Sequence, residues 1–217
     1  MKFKFVKYKS SYTLDAAKMM RKTWHYDKCF EGIKDNIYFY KIFFKYSMIA
    51  SDYHDLIVDE NDKLVGILMA RSINKKKLSL NYIGLGINFI FRWLTGEFGK
   101  RIQAIKNISI MVKDNEKIMK DVKKYDNEIT LFFVDENTRG NGLGKKLMNR
   151  YINYCKNQGI RNIILMTDAG CNYGFYEHYG FKRINAIHSD LFAKPEIEYN
   201  GFAYAYEAEL SIEGKID

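Results

Sequence analysis

The chain is poor in proline and cysteine: Pro195 is its only proline, and Cys29, Cys155 and Cys171 are its only thiols in 217 residues. An odd, scattered set of cysteines supplies neither a disulfide framework nor zinc-ligand spacing, and it predicts a reducing, cytosolic setting. No apolar run reaches the roughly eighteen residues of a membrane-spanning helix. The first residues, Met1-Lys2-Phe3-Lys4-Phe5, alternate like a strand and lack the apolar core of a signal peptide. There is no low-complexity run, no internal repeat, and no basic helix interleaved with exposed aromatics of the kind that binds nucleic acid. What remains is a chain that is 47% apolar and 16% aromatic, enough for one globular domain with a sizeable core and too apolar for disorder.

Charge is the one compositional bias. A net charge of +9 has two readings. It serves an anionic partner, or abundant lysine simply solvates the surface, which requires nothing further. No nucleic-acid partner is expected from the pattern.

The most informative stretch runs from Glu128 to Phe181. Ile129 to Val134 is a strand-like apolar run, and Arg139-Gly140-Asn141-Gly142-Leu143-Gly144 follows it. Leu143, Leu147, Tyr151 and Cys155 then recur every four residues until Gly159, which predicts a helix. Strand, glycine-rich turn and helix in succession place unpartnered helix amides, and the positive end of the helix dipole, where a phosphate can reach them. A mononucleotide-binding loop would end in Gly-Lys-Ser/Thr, but Gly144-Lys145-Lys146 lacks the hydroxyl for a magnesium ion. The dinucleotide fingerprint needs a different glycine spacing and a later acidic residue.

The pattern that fits is Arg-x-x-Gly-x-Gly, and with it this stretch resembles the GNAT family of N-acetyltransferases. A second strand, Ile163 to Thr167, comes after the helix. Beyond it Tyr176-Glu177-His178-Tyr179-Gly180-Phe181 is similar to the family's second motif, Tyr-x-x-x-Gly-Phe. The resemblance implies an α/β fold: a mixed, mainly antiparallel sheet whose central parallel strands splay apart, flanked by helices, with residues 1–217 forming a single acyltransferase domain. The other elements can be laid on that plan. Residues 3–8 read as a strand, and a helix carries Leu14, Ala17, Met20 and Trp24, with Ser10, Ser11 and Thr13 available to cap it. A second helix carries Ile33, Ile37, Tyr40, Phe44 and Met48. Asp55–Asp59 and Lys63–Ala70 form a hairpin about Glu60-Asn61-Asp62. Phe181–Ile187 and Phe202–Leu210 are the last two strands.

Residues 72–127 depart from the family plan as a helical insertion between the third and fourth strands. Its first part, Leu80 to Phe98, reads as one apolar helix interrupted at Gly84 and Gly86. Its second part, Asp114 to Tyr125, reads as a lysine-rich surface helix. An acceptor-site wall or lid, a homodimer contact and extra core packing are the uses open to it, with the wall favoured; Lys75-Lys76-Lys77 raises a membrane-surface role as a further one.

The resemblance also implies a reaction, acetyl-CoA-dependent acetylation of a primary amine on a small molecule or peptide by direct transfer. Arg139, Gly140, Asn141, Gly142, Leu143, Gly144 and Lys145 would take the pyrophosphate of acetyl-CoA. The backbone of Phe132, Phe133 and Val134 would pair with its pantetheine arm as an added strand would. Tyr176 matches the tyrosine that protonates the departing thiolate, and Glu128 occupies the place where some members carry a general base. An ordered water is an alternative base; His54 and His178 are weaker ones. Asn172 is a candidate cofactor contact, although the family's asparagine falls where this chain has Ala169. Asp168 would cap the next helix or face the acceptor. Cys171 has no histidine partner nearby in sequence, and direct transfer needs no nucleophile. The rival reading is an acyl-CoA-binding or protein-interaction module that retains the pocket without catalysis.

Overall fold

Alternation in the strands and four-residue spacing in the helices build two cores, one on each face of a single sheet. The computed structural model describes residues 2–24, 30–34, 36–73, 80–120 and 125–209. The elements are β1 (Lys4–Val6), α1 (Tyr12–Thr23), α2 (Asn36–Ala50), β2 (Tyr53–Val58), β3 (Leu64–Ser72), α3 (Leu80–Leu94), α4 (Arg101–Met119), β4 (Asn127–Val134), α5 (Leu143–Asn157), β5 (Asn162–Asp168), α6 (Gly174–Tyr179), β6 (Lys182–Ile187) and β7 (Gly201–Glu207). The seven strands lie in the order β1-β2-β3-β4-β5-β7-β6. The β4–β5 pair is parallel and the other pairs are antiparallel, so the mixed, mainly antiparallel sheet expected from the sequence is the one observed.

On one face, Leu143, Leu147, Tyr151 and Cys155 of α5 pack on Ile129, Leu165 and Tyr204. On the other, Ala16, Ala17 and Met20 of α1 join Tyr40 and Phe44 of α2 over Leu56, Ile67, Leu131 and Phe133. Strict alternation would send Ile129, Leu131 and Phe133 to the same face. They divide because β4 carries a bulge: Ala70 pairs with Ile129 while the adjacent Met69 pairs with Leu131, leaving Thr130 as an extra residue. One inserted residue flips every side chain beyond it. The Thr130 hydroxyl donates to the Met69 carbonyl at 3.3 Å and shares a 2.8 Å hydrogen bond with Ser51, which pins the bulge.

The insertion differs from its sequence reading. α3 runs unbroken through Gly84 and Gly86 and stops at Leu94 instead of Phe98. Two interior glycines cost roughly 1 kcal/mol each, and the helix continues through both. Phe98 leaves the helix to stack on Phe89, and it forms an isolated bridge with Ile33, which for that reason does not open α2. α4 begins at Arg101 and not at Asp114, because Ala104, Ile108 and Met111 already carry helical spacing. Nor is α4 a plain surface helix, since Ala104, Asn107, Asp114 and Ile118 are buried. Lys75-Lys76-Lys77 and the 121–124 end of the lysine-rich segment lie outside the described residues.

What holds α4 in place is polar. Ser189 donates from Oγ to Asp114 Oδ2 at 2.6 Å, deep in the structure, and Lys117 reaches Asp114 Oδ1 at 3.0 Å. Ser189 and Asn200 then close the 188–200 loop on itself: the Ser189 N–H donates to Asn200 Oδ1, and Asn200 Nδ2 donates to the Ser189 carbonyl, both at 2.8 Å. Asn185 Nδ2 donates to the Ile118 carbonyl at 2.8 Å, at the end of the same helix. The inserted helix is thus clasped to the β6–β7 connection. Removing the donor with Ser189→Ala leaves a buried carboxylate short of a partner, which costs about 1–3 kcal/mol; urea unfolding should show a lower midpoint with an unchanged slope.

Candidate active site

The site begins where β4 and β5 part. Their parallel pairing covers Asn127 with Ile163, Glu128 with Ile164 and Ile129 with Leu165, and it goes no further. β4 continues to Val134 and β5 to Asp168, so both strands present backbone to the gap between them. A cavity of about 410 Å³ occupies that gap. It is bordered by Phe132, Phe133 and Val134 on one side, Met166 and Thr167 on the other, and the glycine-rich turn at its mouth.

The turn has the form that a phosphate requires. Gly142 is the residue before α5 and sits at φ +68°, in the left-handed region, with no side-chain cap on the helix. The first helical bond runs from the Lys146 N–H to the Gly142 carbonyl at 3.0 Å, so the amides of Leu143, Gly144 and Lys145 precede any intrahelical partner. A side chain added at Gly142 would meet nothing within 4 Å; the glycine serves backbone geometry and open approach. Arg139 and Lys145 are exposed at the rim, and their charges add to the helix dipole.

Of the expected cofactor residues, Phe132, Phe133, Val134, Arg139, Gly140, Gly142, Leu143, Gly144, Lys145, Asn172 and Tyr176 all border this one cavity. Asn141 does not. Its side chain turns back on the loop and donates to the Thr138 carbonyl at 2.9 Å, a brace for the turn. Tyr176 is buried at 8% exposure within a ring of Phe132, Phe175, Phe181 and Tyr204. Burial pushes its phenol far above the usual tyrosine range, so it stays protonated at neutral pH and has a hydrogen to donate. Asn172 is exposed at the cavity edge, and its carbonyl accepts from the Phe175 N–H at 3.2 Å as α6 begins.

Glu128 lies elsewhere. It borders a second chamber of about 550 Å³, which meets the first at Trp24, Thr130, Met166 and Thr167. Its carboxylate is paired with a guanidinium: Arg71 donates to Glu128 Oε2 from Nη2 at 2.6 Å and from Nε at 2.8 Å. Neither His54 nor His178 borders a chamber; both are exposed, and His54 Nε2 bonds the Met48 carbonyl at 2.9 Å. Phe89, Ile108, Met111 and Val112 of the insertion line this second chamber, as a substrate-side wall would.

Two contributors, Trp24 and Phe192, carried no functional signal in the sequence. Trp24 touches both chambers and also a more polar cavity of about 650 Å³ beside them, and its Nε1 donates to Cys171 Sγ at 3.1 Å. Burial and the nearby Asp168 push the Cys171 thiol up to about 11, which keeps it protonated and speaks against a nucleophile. Phe192 enters the chamber from the 188–200 loop only because residue 201 is glycine: a β-carbon there would lie 2.5 Å from the Phe192 ring. Asp168 is buried at the end of β5, where the acceptor-side chamber meets the polar cavity. Its Oδ1 accepts the Gly170 N–H at 2.7 Å, and burial raises its carboxyl above the usual range despite that bond.

Comparison with known proteins agrees with this geometry. Residues 97–190 match the sequence model described as an acetyltransferase (GNAT) domain. A search of curated proteins found no match. Among solved structures, arylalkylamine N-acetyltransferase 2 from Aedes aegypti aligns with a TM-score of 0.58 at 15% identity, over 95% of this chain and 99% of its own. The ribosomal-protein-S18-alanine N-acetyltransferase from Escherichia coli aligns with a TM-score of 0.53 at 9% identity, over 100% and 99%. The NatC complex bound to Gag peptide and CoA aligns with a TM-score of 0.54 at 13% identity, over 96% and 100%.

The pH behaviour of Asp168 is a direct consequence of its burial. Its folded-state value lies above the unfolded one, so the folded chain holds the proton more tightly. Ionisation therefore costs stability, a cost that grows as pH rises through the usual carboxylate range and is complete above the folded value. Asp168→Asn, which keeps an acceptor for the Gly170 N–H, should raise the melting temperature near neutral pH and leave it unchanged in acid. Residues 97–190 thus match the sequence model of a GNAT acetyltransferase domain, and the chain as a whole has the GNAT fold.

Proposed function

We propose that the protein is an acetyl-CoA-dependent N-acetyltransferase that transfers acetyl directly to a primary amine. The observation that carries this reading is the single cavity at the β4–β5 opening, which joins open strand backbone, unpartnered helix amides and one buried tyrosine. Each part fits a segment of acetyl-CoA. The amides of Leu143 to Lys145, with Arg139 and Lys145 at the rim, suit the pyrophosphate. The backbone of Phe132 to Val134 has the spacing to pair with the amides of the pantetheine arm. The second chamber, entered past Trp24, suits the acceptor.

In this scheme the acceptor ammonium first gives up a proton, for which Glu128 is the proposed base. The amine nitrogen then bonds to the acetyl carbon, the carbon–sulfur bond breaks, and the phenol of Tyr176 supplies the proton that the departing thiolate takes. Tyr176 is kept neutral by burial, which suits a donor. The Arg71 pair keeps Glu128 in one orientation toward the chamber.

Calorimetric titration tests the cofactor half. Wild-type protein should bind acetyl-CoA and Gly142→Glu should not, because a carboxylate would occupy the phosphate's place. Tyr176→Phe should retain acetyl-CoA binding and lose about a hundredfold or more in kcat, and Glu128→Gln should lower kcat by about a hundredfold with acetyl-CoA binding retained. Binding without turnover on any amine would instead favour the non-catalytic acyl-CoA-binding module.

A further inference from the structure

We infer that the chamber behind Trp24 selects a primary amine carried on an apolar, uncharged body, with Asp168 receiving its ammonium group. The inference rests on the transferase reading and adds the class of acceptor to it. The chamber is about 550 Å³, within the range of small-molecule sites. Its walls are predominantly aromatic and aliphatic: Phe39 and Phe43 from α2, Phe89 from α3, Met111 and Val112 from α4, and Phe192 from the 188–200 loop.

Charge on these walls is sparse. Arg71, Glu128 and Asp168 are the charged residues on the described lining. Arg71 and Glu128 neutralise each other at 2.6 Å. Asp168 has no cationic partner among the described residues: the Gly170 N–H donates to its Oδ1 at 2.7 Å, and the Cys171 backbone N–H and thiol also hydrogen-bond its carboxyl group. A buried carboxylate without a counter-ion is costly and invites a cation. It stands on β5 next to Met166 and Thr167, the residues through which this chamber joins the cofactor cavity. An ammonium held there has its nitrogen at the boundary between the two chambers and its carbon body against the apolar wall.

The same arrangement disfavours other amines. Inside this chamber a polyamine would press further cations against Phe and Met side chains that offer no partner. A phosphorylated or carboxylate-bearing amine would bring its anion toward Asp168. Two sources supply the favoured chemistry: a free apolar amine, or a peptide N-terminus whose first side chain is large and apolar.

Three small amines and two peptides, each titrated into the protein and assayed with acetyl-CoA by thiol release, test the inference. 2-Phenylethylamine should exceed ethanolamine and spermidine in kcat/KM by roughly a hundredfold, the discrimination that an apolar pocket can supply. A peptide beginning Met-Leu, compared with one beginning Ser-Glu, identifies whether the natural source is free or peptidic. Val112→Gln, on the half-exposed wall, should weaken 2-phenylethylamine several-fold and leave acetyl-CoA affinity unchanged. Asp168→Asn should abolish binding of 2-phenylethylamine but not of the neutral 2-phenylethanol, a split that a merely structural role would not produce. Acetyl-CoA binding with spermidine or ethanolamine as the better acceptor would overturn the inference and leave the transferase reading intact. Failure to bind acetyl-CoA would overturn the transferase reading, and the amine titrations would then decide the chamber alone.

Discussion

The structure depends on two parallel strands that stop pairing partway along. β4 and β5 share backbone hydrogen bonds only up to Ile129 and Leu165. Beyond that point each carries donors and acceptors that its neighbour does not satisfy, and buried backbone groups must find partners. In most sheets such a gap would be a defect. Here it is held open from both sides. The Thr130 bulge, fixed by Ser51 and the Met69 carbonyl, turns β4 outward, and Phe132 packs against Phe175 as α6 follows β5. The gap is therefore a product of the surrounding core and not a flexible opening.

The second constraint is that the chamber beside the β4–β5 gap is assembled from parts distant in sequence. α4 belongs to the insertion before β4, and the 188–200 loop follows β6, yet Asp114 and Ser189 join them through a short buried bond. Loops carry binding residues well only when a rigid frame positions them. The Ser189–Asn200 pair supplies that frame at the base of the loop, and Gly201 admits the Phe192 ring beside it. A chamber wall made by an insertion can vary without disturbing the cofactor cleft, since the two share only a narrow border at Trp24, Thr130, Met166 and Thr167.

Much of the fold and of the cofactor side was legible in the chain because those features are local. The turn, its glycines and the following helix are consecutive, so their spacing reports their geometry directly. The strands were recognisable from alternation, and even β4 was found, although its bulge was not: a single extra residue leaves the apolar run intact while reversing which face each side chain takes. α4 was misplaced because its lysines draw attention to solvent, while Ala104, Asn107 and Asp114 contribute burial without an apolar stripe. The acceptor side was opaque for a different reason. Trp24, Phe89, Val112, Asp168 and Phe192 meet only through tertiary packing, and no spacing in the chain records it.

Glu128 and Asp168 show why residue type alone does not assign a role. Both are carboxylates at ends of the central strands, both are buried, and both face the same chamber. Position in the pattern favoured Glu128. The structure gives it a guanidinium partner, and leaves Asp168 with a backbone amide and a thiol. A paired carboxylate adds little net charge to its surroundings, whereas an unpaired one sets the local potential and carries a stability cost that binding can relieve. The two acids thus divide the demands that the proposed amine site makes, one held in orientation by its partner and the other left as the attractive charge. That division follows from what each carboxylate touches, and only the folded chain reveals it.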